Sequence, residues 1–70
     1  MIRKGTKVTW KWGNSSAEGK VVETYSKKVT KTIDNTEIVR KGDVGSKALY
    51  IKQKDGNVVL KLDSEVERVN

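Results

Sequence analysis

The first clear pattern along the chain is a strict alternation of apolar and polar side chains close to its start. The two sets fall on opposite sides of an extended backbone, with Val8, Trp10 and Trp12 on one side and Lys7, Thr9 and Lys11 on the other. A period of two residues predicts a strand with one buried face. The turn-forming residues 13–16 end this strand, and residues 17–23 predict a second one.

Two hairpins follow, and Gly, Asn and Asp make their turns because the chain has no proline. Residues 28–33 and 36–40 flank Asp34-Asn35, a pair that suits a two-residue turn. Neither arm has a continuous apolar face, so we expect this first hairpin to project from the body of the domain or to lie at its edge. Asp55-Gly56 predicts a second hairpin turn, between residues 48–54 and 57–62.

Alternation also assigns the side chains of the second hairpin to faces. In the first arm we expect Leu49 and Ile51 to point inward and Tyr50, Lys52 and Lys54 to point outward. In the second arm we expect Val58, Leu60 and Leu62 to point inward and Val59 and Lys61 to point outward. The tail is too short for a stable helix, so it predicts one 3₁₀ turn capped by Asp63 or Ser64, then a short closing strand.

These elements predict an all-β fold, a small SH3-like barrel of five or six short antiparallel strands, with residues 1–70 forming a single domain. A domain of this size buries only about 60% of the surface of its unfolded chain, so no large internal pocket for a small-molecule substrate is expected. The expected core consists of Val8, Trp10, Val21, Leu49, Ile51, Val58, Leu60, Leu62, Val66 and Val69.

The composition argues against an enzyme. With no cysteine and no histidine, the chain has no disulfide, no cysteine–histidine zinc site, no thiol nucleophile and no imidazole base. Asp63-Ser64-Glu65 is better explained as a solvated turn with capping side chains than as a metal or catalytic cluster. Residues 42–45 lack the Lys-Ser/Thr ending of a phosphate-binding loop. We therefore expect no catalysis, cofactor or metal.

The charge balance favours anionic partners. Fifteen Lys and Arg against nine Asp and Glu give a formal net charge of +6 and a pI near 9.7. Nucleic acid or an acidic protein would suit this charge, and the alternative is that the lysines only keep strand faces hydrated. No apolar run approaches the about 18 residues of a membrane span, and the basic start lacks the apolar core of a signal peptide. We expect a soluble, cytoplasmic protein without membrane contact.

Several segments of the chain together match a known pattern, and they cover nearly its whole length: residues 4–13, 17–23, 29–33, 36–38, 55–56 and 60–67. In combination they resemble the hypervirulence-associated Tudor-domain family of small bacterial and fungal proteins. The resemblance implies an SH3-like, Tudor-type barrel and leaves the activity open. One departure concerns the tyrosine that the family tends to place directly after an alanine, because this chain has Ala48-Leu49-Tyr50. If the register is kept, the aromatic ring moves from the core to the surface.

Two binding functions are compatible with this fold. A basic strand face carrying an aromatic ring would hold nucleic acid through phosphate contacts and base stacking, and its candidate residues are Lys7, Lys11, Tyr50, Lys52, Lys54 and Lys61. Such binding would be non-specific, micromolar or weaker, and steeply salt-dependent. The alternative is a module for protein interaction or self-association through residues 26–47, where Val29, Ile33, Ile38 and Val39 are only partly accounted for by the core.

A third possibility is an aromatic surface site. Trp12, Tyr25 and Tyr50 would form a partial cage for a methylated lysine or arginine if the loops bring them together. The alternative is that Trp12 covers one open end of the barrel and that the tyrosines are ordinary amphipathic surface residues.

Overall fold

The computed structural model describes residues 2–69, which contain seven strands and one 3₁₀ turn. The strands are β1 (Lys7–Trp12), β2 (Ser15–Tyr25), β3 (Lys28–Ile33), β4 (Thr36–Lys41), β5 (Ala48–Gln53), β6 (Val58–Leu62) and β7 (Glu67–Arg68), and the 3₁₀ turn Asp63–Glu65 precedes β7. The all-β prediction is confirmed. The structure has seven strands where five or six were expected, and the last of them, the two-residue β7, pairs with β1.

The strands form two antiparallel sheets. The larger sheet has the order β6-β5-β2-β1-β7, and β3 pairs with β4 in a separate two-stranded sheet. The long strand β2 is central, since it pairs with β1 along its first half and with β5 along its second. A bulge at Val22 interrupts the second pairing, and a bulge of this kind bends its strand and increases the local twist.

The two predicted hairpin turns are confirmed, whereas residues 15 and 16, expected in the first turn, belong to β2. Asp34 and Asn35 have φ values of 52° and 62°, as a two-residue turn between β3 and β4 requires. Gly56 has a φ of 96° in the turn between β5 and β6. Small polar residues and glycine tolerate this left-handed backbone, so the sequence defines both turns locally.

One buried cluster forms the core between the sheet and the C-terminal segment. Its members are Ile2, Val8, Trp10, Val21, Leu49, Ile51 and Val66, with Ala17 and Val59 packed against them. All of these buried residues except Ile2 belong to the expected core. Val58, Leu62 and Val69, also expected there, are only half-buried.

The predicted faces of β6 were wrong. Leu49 lies opposite Lys61 and Ile51 lies opposite Val59, and residues directly opposite each other share a face of the sheet. Val59 and Lys61 therefore face the core side. Leu60 lies opposite Tyr50 on the other face, where it is nevertheless only 3% exposed.

The hairpin of β3 and β4 covers that second face, which corrects the expectation that it projects or lies at an edge. Both of its strands contact β6. Its half-buried residues alternate with exposed ones: Val29, Lys31, Ile33, Ile38 and Arg40. Arg40 Nε also lies 3.6 Å from the carboxylate of Glu65, which links the hairpin to the 3₁₀ turn. The hairpin thus has a packed side after all, made partly of long cationic side chains.

The 3₁₀ turn is capped differently from the prediction. Neither Asp63 nor Ser64 caps it; Leu62 occupies the N-cap position, and its backbone N–H donates to Glu65 Oε1 at 2.8 Å. The short closing strand after the turn is confirmed as β7. No helix long and apolar enough to cross a membrane occurs among residues 2–69.

Candidate functional site

Three lysines stand in a row across three neighbouring strands. Lys7 of β1 lies directly opposite Lys20 of β2, and Lys20 lies directly opposite Lys52 of β5. Because opposite positions share a face, all three side chains leave the sheet on the side away from the core, and all three are exposed. Opposite Cα atoms are about 5 Å apart, so the row is about 10 Å long.

The row borders a shallow groove of about 330 Å³. Lys54 extends the positive rim, Val22 at the bulge contributes an apolar floor, and Glu18 is the one acid that lines it. Four ammonium groups against one carboxylate leave this groove with a net of three positive charges. Lys11 lies on the same side of β1, two residues beyond Thr9. We call Lys7, Lys20, Lys52 and Lys54 the lysine groove.

The row carries an electrostatic cost for the folded chain. Like charges directly opposite each other in a sheet destabilise it, by about 0.2–1 kcal/mol a pair. Within residues 2–69 the one ion pair joins Arg40 to Glu65, so no described carboxylate lies within 4.0 Å of these lysines. A polyanion bound along the row would relieve this repulsion.

The sequence identified part of this surface. Lys7, Lys52 and Lys54 come together as expected, and Lys11 shares their side of the sheet. Lys20 was missed, although its position directly before the inward Val21 was a usable signal for an outward side chain. Lys61 does not share this side of the sheet, since the pairing of β5 with β6 turns it to the core side.

Tyr50 points to the predicted face but is not free to stack on a base. The Nζ atom of Lys31 lies 5.1 Å from the centroid of the Tyr50 ring and 5.2 Å from that of Tyr25. A cation within about 6 Å of an aromatic centroid is attracted by the ring. The hairpin therefore inserts its own lysine between the two tyrosines. Two of the three rings considered for an aromatic site do meet, around a cation of the same chain.

This contact also affects the protonation of Lys31. Hydrogen bonding to Tyr25 raises the pKa of Lys31 above its ordinary value of 10.5; the charges on Tyr25, Tyr50 and Glu23 raise it too, and desolvation opposes them. Lys31 is thus fully charged at neutral pH.

Trp12 lies far from the tyrosine pair. It pairs with Ser15 at the start of β2, whereas Tyr50 pairs with Glu23, eight positions further along. At a rise of about 3.3 Å per residue, these positions are about 25 Å apart along the strand. The indole is 71% exposed, so Trp12 neither completes the predicted cage nor closes the end of the barrel.

We expect Lys31→Met to loosen the hairpin, because methionine keeps an apolar side chain but cannot make the cation–π contacts. Backbone amides of β3 and β4 should exchange with solvent several-fold faster than in the wild type, as measured by hydrogen exchange. Lys28→Met is the matched control, since Lys28 is exposed on the same strand and its loss changes the net charge equally. Equal exchange in both variants would contradict a latching role for Lys31.

The chain is similar to one family of known proteins over most of its length. The family model of the hypervirulence-associated proteins' TUDOR domain matches residues 5–66. This range contains β1 to β6 and the 3₁₀ turn. Searches of curated proteins and of solved structures gave no match. Tudor-type domains are small binding modules rather than catalytic folds. On this match and its all-β architecture, the chain belongs to the hypervirulence-associated Tudor-domain family.

Proposed function

We propose that this Tudor-type module binds nucleic acid non-specifically through the lysine groove. The observation that carries the proposal is the row of Lys7, Lys20 and Lys52, opposite one another on three adjacent strands. Ammonium groups on flexible stems are well suited to phosphates, whose positions vary with sequence and conformation. A concave surface with a net positive charge also raises the local concentration of a polyanion.

The mode of contact follows from the residues that line the groove. Lysine contacts a phosphate as a point charge, and phosphate contacts carry no sequence information, so we expect no sequence preference. Each lysine that neutralises a phosphate releases counterions, so three contacts give a slope of about −2 to −3 in a plot of log affinity against log salt. Affinity at physiological salt should be micromolar or weaker, as is usual for non-specific binding.

The alternative function, protein interaction through residues 26–47, has weaker support. Val29, Ile33 and Ile38 are half-buried on the packed side of the hairpin, so they do not form an open apolar patch. The exposed apolar side chains of this segment are Val39 on β4 and Val44 in the following loop. Single exposed valines are common on protein surfaces.

Reversing one charge in the row tests the proposal. Lys20→Glu should weaken binding to a fluorescent oligonucleotide by about tenfold or more at low salt and make the salt slope shallower by about one. The same substitution should not lower the free energy of unfolding, because it places a carboxylate between Lys7 and Lys52 and replaces repulsion by attraction. Anisotropy titrations and urea unfolding measure the two effects separately.

Lys27→Glu is the matched control. It changes the net charge by the same amount at an exposed position in the turn between β2 and β3. If the groove is the binding surface, Lys27→Glu should weaken binding far less than Lys20→Glu. Equal losses would show a general charge effect without a site. No binding of any oligonucleotide at low salt would overturn the proposal outright.

A further inference from the structure

A second groove, on the core side of the sheet, carries the most exposed aromatic ring of the described chain. It has a volume of about 360 Å³, and Trp12, Trp10 and Val59 are among the residues that line it. Trp12 is 71% exposed and Trp10 is 5% exposed, so one ring presents a free face while the other belongs to the core. Exposure of one apolar side chain is not evidence of a ligand, but an indole that borders a groove together with polar side chains offers a ring face on which a flat ligand can stack.

The polar residues around this ring limit the kind of ligand. Gln53, Asn57 and Lys61 share the groove with Trp12. The amide of Asn57 already donates to Asp55 Oδ2 at 3.2 Å, which holds this side chain in place and leaves its carbonyl oxygen as an acceptor. Lys61 adds a positive charge, which disfavours a cationic ligand and favours an anionic one. A flat ring, side-chain amides and an ammonium group match a base attached to a phosphate.

We propose that the Trp12 groove accepts an unpaired base, so that the module prefers single-stranded over double-stranded nucleic acid. This inference rests on the proposed function, because it takes nucleic acid as the ligand, but it concerns a different surface of the protein. In a duplex the bases are stacked on their neighbours, and an indole at a groove of this kind reaches only a base that is free to turn out. Lys11 directly precedes Trp12 on β1 and points to the side of the sheet that carries the lysine groove.

The stacking role thereby passes from one aromatic residue to another. Tyr50 was expected to stack on a base, but Lys31 and the hairpin occupy its ring. Trp12 is the exposed ring that remains near positive charge, with Lys11 next to it in the chain and Lys61 in its groove. Stacking on an aromatic side chain tolerates any base, so this site adds preference for strandedness without adding sequence specificity.

The test compares two polymers that differ only in their bases. A single-stranded oligonucleotide of about 12 thymidines and an abasic strand of equal length carry the same phosphates, and one base stacked on an aromatic side chain contributes about tenfold in affinity. The wild type should bind the thymidine strand about tenfold more tightly than the abasic strand, and binding of a duplex of equal length should gain nothing from Trp12. Trp12→Ala should remove this difference, and Trp12→Phe, which keeps a smaller ring, should retain part of it.

Intrinsic fluorescence gives an independent readout. The thymidine strand should quench the emission of Trp12, and Trp12→Phe should show almost no quenching because its remaining tryptophan is buried. Thermal unfolding should show both variants folded, since the substituted side chain is mostly exposed. Equal binding of the thymidine and abasic strands by the wild type, or equal weakening of both strands by Trp12→Ala, would overturn this inference alone.

The same two strands test the lysine groove independently of the Trp12 groove. Lys20→Glu should weaken the thymidine and abasic strands by the same factor, since both carry the phosphates that the groove contacts. If the abasic strand binds and Lys20→Glu weakens it, the proposed function stands whatever the bases contribute. If neither strand binds at low salt, both proposals fall.

Discussion

Leu49→Ala should unfold a large fraction of the protein. Leu49 is fully buried in the middle of β5 and belongs to the single core cluster of the described residues. Truncating a buried leucine costs about 2–5 kcal/mol, because burial is lost and a cavity remains. A chain of this length has a total stability of about 3–10 kcal/mol by the usual stability per residue. One such substitution therefore removes a large part of the free energy of unfolding.

Urea unfolding followed by circular dichroism measures this loss as a lower midpoint. Val44→Ala is the control, because it also removes carbon atoms but from a side chain that is 87% exposed. Its midpoint should stay close to that of the wild type, with a change within about 0.5 kcal/mol. If the two variants unfold at the same urea concentration, the buried cluster does not carry the stability that its burial implies.

Position 49 also shows the structural consequence of this chain's departure from the family pattern. The family tends to have a tyrosine directly after the alanine, and this chain has leucine there and tyrosine one position later. In the structure the leucine enters the core, while Tyr50 lies half-buried on the opposite face and meets Lys31. Tyr50 thus leaves the face of Leu49 and Ile51 as expected, but it is half-buried beside the hairpin rather than fully at the surface. The contact with the hairpin could not be foreseen, because it depends on how β3 and β4 pack against the larger sheet.

Strands and turns could be predicted from the sequence because their signals are local. Alternation marked β1, and Asp34-Asn35 and Asp55-Gly56 marked two turns. The faces of β6 could not be predicted in the same way. Val58, Val59 and Leu60 are consecutive and apolar, so both faces of the strand look equally suited to burial. Only the pairing with β5 decides between them, and here both faces are covered.

The lysine row needed information that no local pattern contains. Lys7, Lys20 and Lys52 are far apart in sequence, and they align because β2 pairs with β1 on one side and β5 on the other. Alternation correctly predicted that Lys7 and Lys52 point outward, but it could not predict which lysines lie opposite each other. The sequence therefore predicted a basic face. The register of the strands shows that Lys20 belongs to this face and that Lys61 does not.

Gly42→Ala should displace the hairpin from the sheet. A Cβ atom at Gly42 would lie 2.6 Å from the carbonyl oxygen of Tyr25 and 2.7 Å from the backbone nitrogen of Ala48. Both are backbone atoms, so the clash is relieved only if the chain between β4 and β5 moves. The backbone N–H of Gly42 also donates to the carbonyl of Lys27 at 3.3 Å, a bond that this movement would break. Such overpacking costs about 1–3 kcal/mol.

Gly45→Ala is the matched control in the same loop. A Cβ atom there meets the carboxylate of Asp43 at an ordinary contact distance of 3.5 Å, so this variant should be about as stable as the wild type. Amide shifts in a ¹⁵N-HSQC spectrum should spread over β3, β4 and the start of β5 in Gly42→Ala, and should stay within the loop in Gly45→Ala. Similar spectra for the two variants would contradict the close approach at Gly42.

Gly42→Ala also distinguishes the two candidate functions, nucleic-acid binding and protein interaction. The lysine groove is built on β1, β2 and β5, whereas Gly42 acts on the hairpin. At a temperature where Gly42→Ala is still folded, it should therefore bind oligonucleotides with an affinity close to that of the wild type. If residues 26–47 instead form the functional surface, displacing them should abolish partner binding while Lys20→Glu leaves it intact. Measured together, Gly42→Ala and Lys20→Glu assign the activity either to the lysine groove or to the hairpin, because each variant disturbs only one of these two surfaces.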